Sequence, residues 1–426
     1  MNTSTKLQCE VCNNVVLLKV YGGYVHENRF AFNCPECNIT ISGYWIWNED
    51  VSQGFVKEFK CNNANRADET SEPSHILQLA TEFFTFKIKP YSLSDPTIFL
   101  SPYILEQMSS RRSQEKSSLV RMIAEGFDEE YKVAMRIWEL FQNKNFKYLD
   151  RQLISNHFVE KPRLAVETLN IDYPKVIQLV IINLFSFIFN KQIYLDKLQE
   201  LRKMLQTLFK KNPQEMIALR NDLSELVTYA DRSVVQLLKN FAQYFRLLWP
   251  IILSDLFGPD DIQKIKEKQG ILTTNFDMLK NYYVEAYEAL GSVLPLLLGI
   301  QNIKIRADRN KFEPSILHEF NKLQTIKDFE KQIQNKGNRI KFFVKENIFS
   351  PLLEPTILDN IIRNSIGHHS YDYKADQQLI RFKDKNRNHD LFLIEFGNLL
   401  YKSVFATLAA FEISMFLKYE VPEDNS

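Results

Sequence analysis

Glycine is scarce in this chain, 12 in 426 residues. Leucine, isoleucine, phenylalanine and lysine are plentiful instead, a balance that leans toward helix over sandwich or barrel. Excess charge of either sign is missing too. Fifty-three basic side chains face 52 acidic ones, for a net charge of +1. No global field draws the chain to nucleic acid or membrane, so any such contact needs a local patch. Long apolar runs are absent as well. One of the longest uncharged ones, residues 176–189, is broken by Gln178, Asn183 and Ser186. A membrane span needs about 20 apolar residues, so this stretch is expected as a buried core helix. The opening MNTSTKLQCEVC has no apolar segment behind a basic patch, so no secretory signal is expected, and we expect a cytoplasmic protein with no membrane partner.

What is present is an ordinary soluble composition, 45% apolar and 25% charged. The mean hydropathy of −0.26 argues against disorder. The length exceeds what one core usually holds. The expected architecture is mainly α, with a small N-terminal β-rich zinc ribbon (1–60), a linker and irregular segment (61–118), a helical middle region (119–272) and a C-terminal helical bundle (273–426). Residues 15–20, 30–32 and 39–47 are β-rich, with Gly22-Gly23 as a hairpin turn signal. Residues 62–75 contain no large apolar side chain and make the best linker. Ile193, Leu198, Leu201, Leu205 and Leu208 form one helical stripe, and Leu223 to Phe241 continue in kind. Gly258-Pro259 is a stop signal. Residues 275–298 and 316–333 are expected as helices, the second ended by Gly337-Asn338. A further helix runs from Pro355 to Gly367, a short strand covers 379–382, a loop 383–389 and a long helix 390–417.

Five cysteines are few, and four stand as Cys9-x2-Cys12 and Cys34-x2-Cys37. Each pair folds two thiolates onto one side of a tight knuckle, and two knuckles complete a tetrahedron around Zn²⁺. Residues 5–45 resemble a zinc ribbon. Four protein ligands leave no open position, so the metal is expected to be structural, with no cofactor needed for catalysis. Tyr44, Trp45 and Trp47 beside it suit either stacking on bases or packing the ribbon; packing is the commoner use. Cys61 is left without a role.

The second constellation is Arg363-Asn364-Ser365-Ile366-Gly367-His368, at the end of an apolar helix containing Ile357, Leu358, Ile361 and Ile362. Cleaving RNA without a metal requires a base near the 2′-hydroxyl, which histidine supplies. It also requires a permanent cation on the phosphorane oxygens, which a guanidinium supplies. Five residues on an ideal helix turn through about 500°, so either Gly367 ends the helix and lets His368 swing round, or two protomers bring their motifs together in a composite site. The motif resembles the R-x4–6-H signature of the HEPN superfamily, whose active members are metal-independent endoribonucleases. That resemblance implies Arg363 and His368 as the catalytic pair and Asn364 as the orienting polar residue. It also implies a helical bundle that homodimerises, an RNA substrate, and a role as toxin or abortive-infection effector against phage, under a protein or phage-derived trigger or inhibitor. His369 rivals His368, because the spacing permits either.

Arg381, Lys383, Lys385 and Arg387 form a basic loop after the motif, and Tyr371 and Tyr373 could stack a base near it. Residues 302–347 carry eleven Lys or Arg against six acids, equally readable as a solvated helix face. Arg151 and His157 also fit the spacing but lack the following asparagine. The rival from another class is a non-enzymatic zinc-ribbon adaptor whose inactive bundle only dimerises and binds nucleic acid or protein. A DNA-binding regulator is disfavoured, because Lys6, Lys19 and Arg29 are the only Lys or Arg in the first forty residues.

Overall fold

The computed structural model describes residues 2–21, 26–48, 56–81, 83–100, 113–159, 172–186, 192–254, 266, 269–271, 276–320, 322–375 and 377–422. The Gly22-Gly23 and Gly258-Pro259 signals lie outside them. Strands fill the first ninety residues. They are β1 (Asn2–Cys9), β2 (Val15–Tyr21), β3 (Glu27–Asn33), β4 (Thr40–Trp47), β5 (Val56–Asn62), β6 (Ala64–Arg66), β7 (His75–Ala80), β8 (Thr85–Phe86) and β9 (Lys89–Pro90). One sheet runs β6-β1-β2-β7-β9 and another β3-β4-β5. Alternating apolar residues aim their inner faces at one shared core containing Leu18, Phe32, Ile41, Trp45 and Leu79. The expected linker is therefore partly strand. β6 pairs with β1, and β7 lies parallel to β2 in the register Val16↔His75 to Tyr21↔Ala80.

Helices follow: α1 (Ser113–Gln142), α2 (Phe146–Ser155), α3 (Tyr173–Ser186), α4 (Gln192–Lys211), α5 (Pro213–Asp222), α6 (Ser224–Tyr244), α7 (Trp249–Ser254) and α8 (Phe276–Arg306). The stripe expected on α4 is buried at Leu198, Leu201, Leu205 and Leu208, but Ile193 is exposed. α8 runs on through Pro295, eight residues past its expected end. The helix expected at 316–333 breaks into α9 (Pro314–Leu317), α10 (Ile326–Gln332) and α11 (Lys336–Ile340); Gly337 and Asn338 sit inside α11 instead of ending a helix. α12 (Asn360–Gly367) and α13 (Leu393–Tyr419) complete the set.

Between α12 and α13 stand three strands where one was expected: β11 (Tyr371–Lys374), β12 (Leu379–Asp384) and β13 (Arg387–Phe392), paired in the order β11-β12-β13. The expected loop is a two-residue hairpin closed by the Asp384↔Arg387 pair, with Lys385 in the left-handed region at φ 56°. The long helix therefore starts at Leu393, not Asp390. β10 (Gln269–Gly270) pairs with β8.

The chain forms two compact units, each assembled from three stretches: 1–117, 237–289 and 356–404 in one, and 118–236, 290–355 and 405–426 in the other. The expected boundaries at 60, 118 and 272 follow chain order, and the units do not. α8 and α13 are long and apolar enough to cross a membrane, yet most of each apolar stretch is buried inside the protein.

In the second unit, Glu412 is 1% exposed and Arg202 approaches it only to 3.9 Å, beyond hydrogen-bonding distance. Burial pushes its carboxyl up to about 7, against the pull of Arg202. A carboxyl raised on folding contributes stability below its unfolded value near 4.5, and that contribution is lost as pH rises through 7. Glu412→Gln should therefore match wild type near pH 5 and exceed it at pH 8 by on the order of 3 kcal/mol. Denaturant melts at both pH values check this; an equal loss at both would sink the idea.

Candidate functional site

Two places concentrate chemistry in the first unit. In the β-rich part, the Cys9–Cys12 knuckle joins β1 to β2 and the Cys34–Cys37 knuckle joins β3 to β4. The two share one hydrogen-bond pattern. Asn13 N–H donates to the Cys9 carbonyl at 3.0 Å, and Asn38 N–H to that of Cys34 at 2.9 Å. Asn13 and Asn38 take left-handed φ values of 59° and 67°, which asparagine tolerates better than most residues. Cys-x-x-Cys-Asn, twice, is thus a backbone signal as well as a ligand signal. The four Sγ atoms lie within 4.8 Å of one another, with Cys9–Cys37 at 3.6 Å and Cys12–Cys34 at 3.5 Å. A tetrahedral tetrathiolate with metal–sulfur bonds of about 2.3 Å has edges of about 3.8 Å. The cluster therefore fits a metal ion. Cys61 stands outside it, and burial, with Glu10 nearby, pushes its thiol up to about 11.

The aromatics beside the cluster are packing residues. Trp45 and Trp47 are buried edge to face, 6.2 Å apart, and Trp45 lies 6.0 Å from Phe30. Tyr44 donates its hydroxyl to Glu58 at 2.7 Å.

The second place is α12. Asp359 caps its N-terminus, accepting from the amides of Ile361 and Ile362. At the other end, Ser370 N–H donates to the Ser365 carbonyl at 2.8 Å and His369 N–H to that of Ile366 at 3.2 Å. This paired pattern is a Schellman motif, and its left-handed position is occupied by His369 at φ 52°. Gly367, expected to end the helix, is its last helical residue, and His368 is the C-cap. Both imidazoles are exposed and make no side-chain hydrogen bond among the described residues.

Arg363 reaches along the helix toward the same end. A Cβ on Gly367 would stand 3.6 Å from its Nη1. Its Nε and Nη2 are held by Glu288 of α8 at 3.2 and 3.1 Å. Asn364 donates to Asp384 of β12 at 3.3 Å. That amide, helped by Arg387, holds the Asp384 carboxyl below the usual carboxylate range. Arg363, Asn364 and His368 thus come to one helix end although they do not share one helix face.

The expected RNA-contacting residues divide. Arg381 is held by Asp390 across the sheet at 2.7 Å, and Arg387 by Asp384 at 2.9 Å. Lys383 and Lys385 are exposed with no acidic partner among the described residues. Tyr371 and Tyr373 pack on Phe276, at 5.2 and 5.3 Å, and Lys280 donates to the Tyr371 hydroxyl at 2.6 Å. In the basic stretch 302–347, Arg306 pairs with Glu346, Arg309 with Glu215 and Asp222, and Lys341 with Glu319, while Arg339 is buried on three carbonyls. Those cations serve the fold. Arg151 lies over the Tyr148 ring at 5.5 Å, and His157 follows α2 with φ 60°.

Sequence reasoning missed Glu288 and His389. The His389 Nδ1 lies 2.9 Å from Asp359 Oδ2 at the head of α12, an imidazole oriented by a carboxylate. His389 lies inside β13, in a stretch that the sequence shows only as a loop, so no local signal marked it.

The left-handed histidine also offers a clean variant. His369→Gly removes a side chain from a position that favours glycine. It should raise stability by about 0.5–1 kcal/mol, measured by denaturant melts; a loss of stability would overturn the cap assignment. Comparison with family models, with curated proteins and with solved structures returned no match.

Proposed function

We propose that the protein is an endoribonuclease of the HEPN type and that its four-cysteine cluster holds a structural Zn²⁺. The observation that carries this reading is the end of α12, where a guanidinium, an anchored amide and two solvent-facing imidazoles gather. His368 takes the proton of a ribose 2′-hydroxyl, whose oxygen attacks the adjacent phosphorus. Arg363 faces the charge that develops on the non-bridging oxygens. Asn364, tied to Asp384, fixes the helix end. The 5′-oxygen leaves and is protonated by water or by the imidazole of a second copy, giving a 2′,3′-cyclic phosphate and a 5′-hydroxyl. Lys383 and Lys385 are the cations best free to meet phosphates.

By the same resemblance, the protein acts as a homodimeric cytoplasmic toxin or abortive-infection effector against phage. The test is incubation of the purified full chain with total cellular RNA in excess chelator, with zinc content measured in parallel. New cyclic-phosphate ends from wild type, absent with His368→Ala, are the expected result. Equal background in both, together with harmless expression of wild type in cells, would favour the adaptor.

A further inference from the structure

The four-cysteine cluster contains two kinds of sulfur. Cys9 and Cys34 are buried, whereas Cys12 and Cys37 are half-buried and keep part of their surface in solvent. Two short approaches each join one of either kind: Cys37 stands 3.6 Å from Cys9, and Cys12 stands 3.5 Å from Cys34. Neither approach lies within a knuckle. Each crosses from the turn between β1 and β2 to the turn between β3 and β4, and those hairpins belong to different sheets. The two pairs share no residue, so together they use all four sulfurs of the cluster.

A disulfide bond is about 2.0 Å long, so each crossed pair has to close by about 1.5 Å. Side-chain rotation can supply a movement of that size. A bound metal opposes it, because its bonds hold the sulfurs along the edges of a tetrahedron. Metal binding and sulfur oxidation therefore compete for the same four groups. Small oxidants reach a thiolate where it is exposed, and a neighbouring thiol resolves the product. That makes Cys12 and Cys37 the points of entry, and Cys34 and Cys9 the resolving sulfurs.

We infer that the cluster is a redox-sensitive joint, which a hydroperoxide converts from metal-held to disulfide-held by forming Cys9–Cys37 and Cys12–Cys34. In each pair the half-buried thiolate attacks hydrogen peroxide. The O–O bond breaks, a sulfenic acid forms, and the departing hydroxide is protonated to water. The buried thiolate then attacks that sulfur, the S–O bond breaks, and the second oxygen also leaves as water. Two thiolates lose two electrons, one peroxide gains them, and two protons are taken up from solvent. The metal leaves as a dication once its ligands are neutral disulfides. Because both new bonds tie one sheet to the other, the joint outlasts the metal.

The inference rests on the structural-metal part of the proposed function and not on the nuclease. The test treats the reduced full chain, and Cys61→Ser beside it, with hydrogen peroxide. Zinc is followed with a chromogenic chelator, and the near-ultraviolet signal reports Trp45 and Trp47. Disulfides are mapped by mass spectrometry after a glutamyl protease cuts at Glu10 and Glu36, which separate the cysteines of each knuckle. One zinc should be released for every two disulfides, with the crossed pairs at least tenfold more abundant than any other. The near-ultraviolet signal should persist, and dithiothreitol with added zinc should reverse the change. Disulfides within a knuckle, Cys9–Cys34 linkage, linkage through Cys61, sulfinic acid without linkage, or collapse of the signal on oxidation would each overturn the inference. A reduced chain that carries no zinc would sink the metal reading alone, because the crossed pairing is still decided by the disulfide map.

Discussion

Cys12→Ser should strip the metal from the β-rich part and unravel its packing. Wild type purified under reducing conditions should carry one zinc per chain by elemental analysis. The variant should carry little, and its near-ultraviolet signal from Trp45 and Trp47 should collapse. The two knuckles join different sheets, and their inner faces meet in the core that holds both tryptophans. Without a shared metal, two half-buried thiols, Cys12 and Cys37, have nothing to hold the sheets in register. In isolated finger peptides a structural zinc contributes about 10–16 kcal/mol. Here the sheets retain their own apolar contacts, so the expected loss is a fraction of that, still the largest of any single change in this region. Cys61→Ser is the control. It stands outside the tetrad with a thiol raised by burial, and its replacement should cost about 1 kcal/mol or less. Equal metal content in wild type and Cys12→Ser would overturn the assignment, as would equal damage from the two variants.

The cluster was legible because its information is local. CxxC spacing and the alternation of Val15–Val20 and Ile39–Trp47 encode thiolates and hairpins within a few residues of each other. β7 and β8 were not legible. β7 pairs with a strand about sixty residues away and β8 with one about 180 away, and partners that distant leave no local pattern. The β12–β13 hairpin was missed for another reason: its turn, Lys385-Asn386, lacks the glycine that usually marks such a bend. The R-x4–6-H motif shows the same division. Its residue types and its helix were readable, and so was the need for a break near His368. That the break is a Schellman motif built on His369 depends on backbone conformation. That Arg363 is held by Glu288, 75 residues earlier, depends on tertiary packing. The charge of 302–347 was legible only as a total, because a count of cations cannot tell an arginine buried on carbonyls, such as Arg339, from a lysine facing water.

Arg363→Ala and His368→Ala should each reduce RNA cleavage by about 10²–10⁴-fold, which corresponds to about 3–5 kcal/mol of barrier. The structure makes these variants informative because neither should disturb the fold. His368 is exposed, and its side chain makes no hydrogen bond among the described residues. Arg363 forms one ion pair with Glu288, each side chain 38% exposed, and such pairs are worth about 1 kcal/mol or less. A hundredfold loss with an unchanged melting curve is then a loss of chemistry. His369→Gly separates the two adjacent histidines without a folding penalty, since glycine suits the left-handed cap better than histidine does. If His368 is the base, His369→Gly should cleave at nearly the wild-type rate, and His368→Ala should not. The reverse pattern would move the role to His369. His389→Ala supplies the third arm: its ring is oriented by Asp359 at the opposite end of the same helix, so loss of cleavage there, with His368→Ala active, would shift the catalytic centre to the head of α12. Arg363→Lys decides the cation's part. A lysine keeps the charge but cannot present two parallel donors to a phosphate, so it should recover only a small share of the rate. Full recovery would mean that charge alone matters, and that the paired geometry of the guanidinium does not.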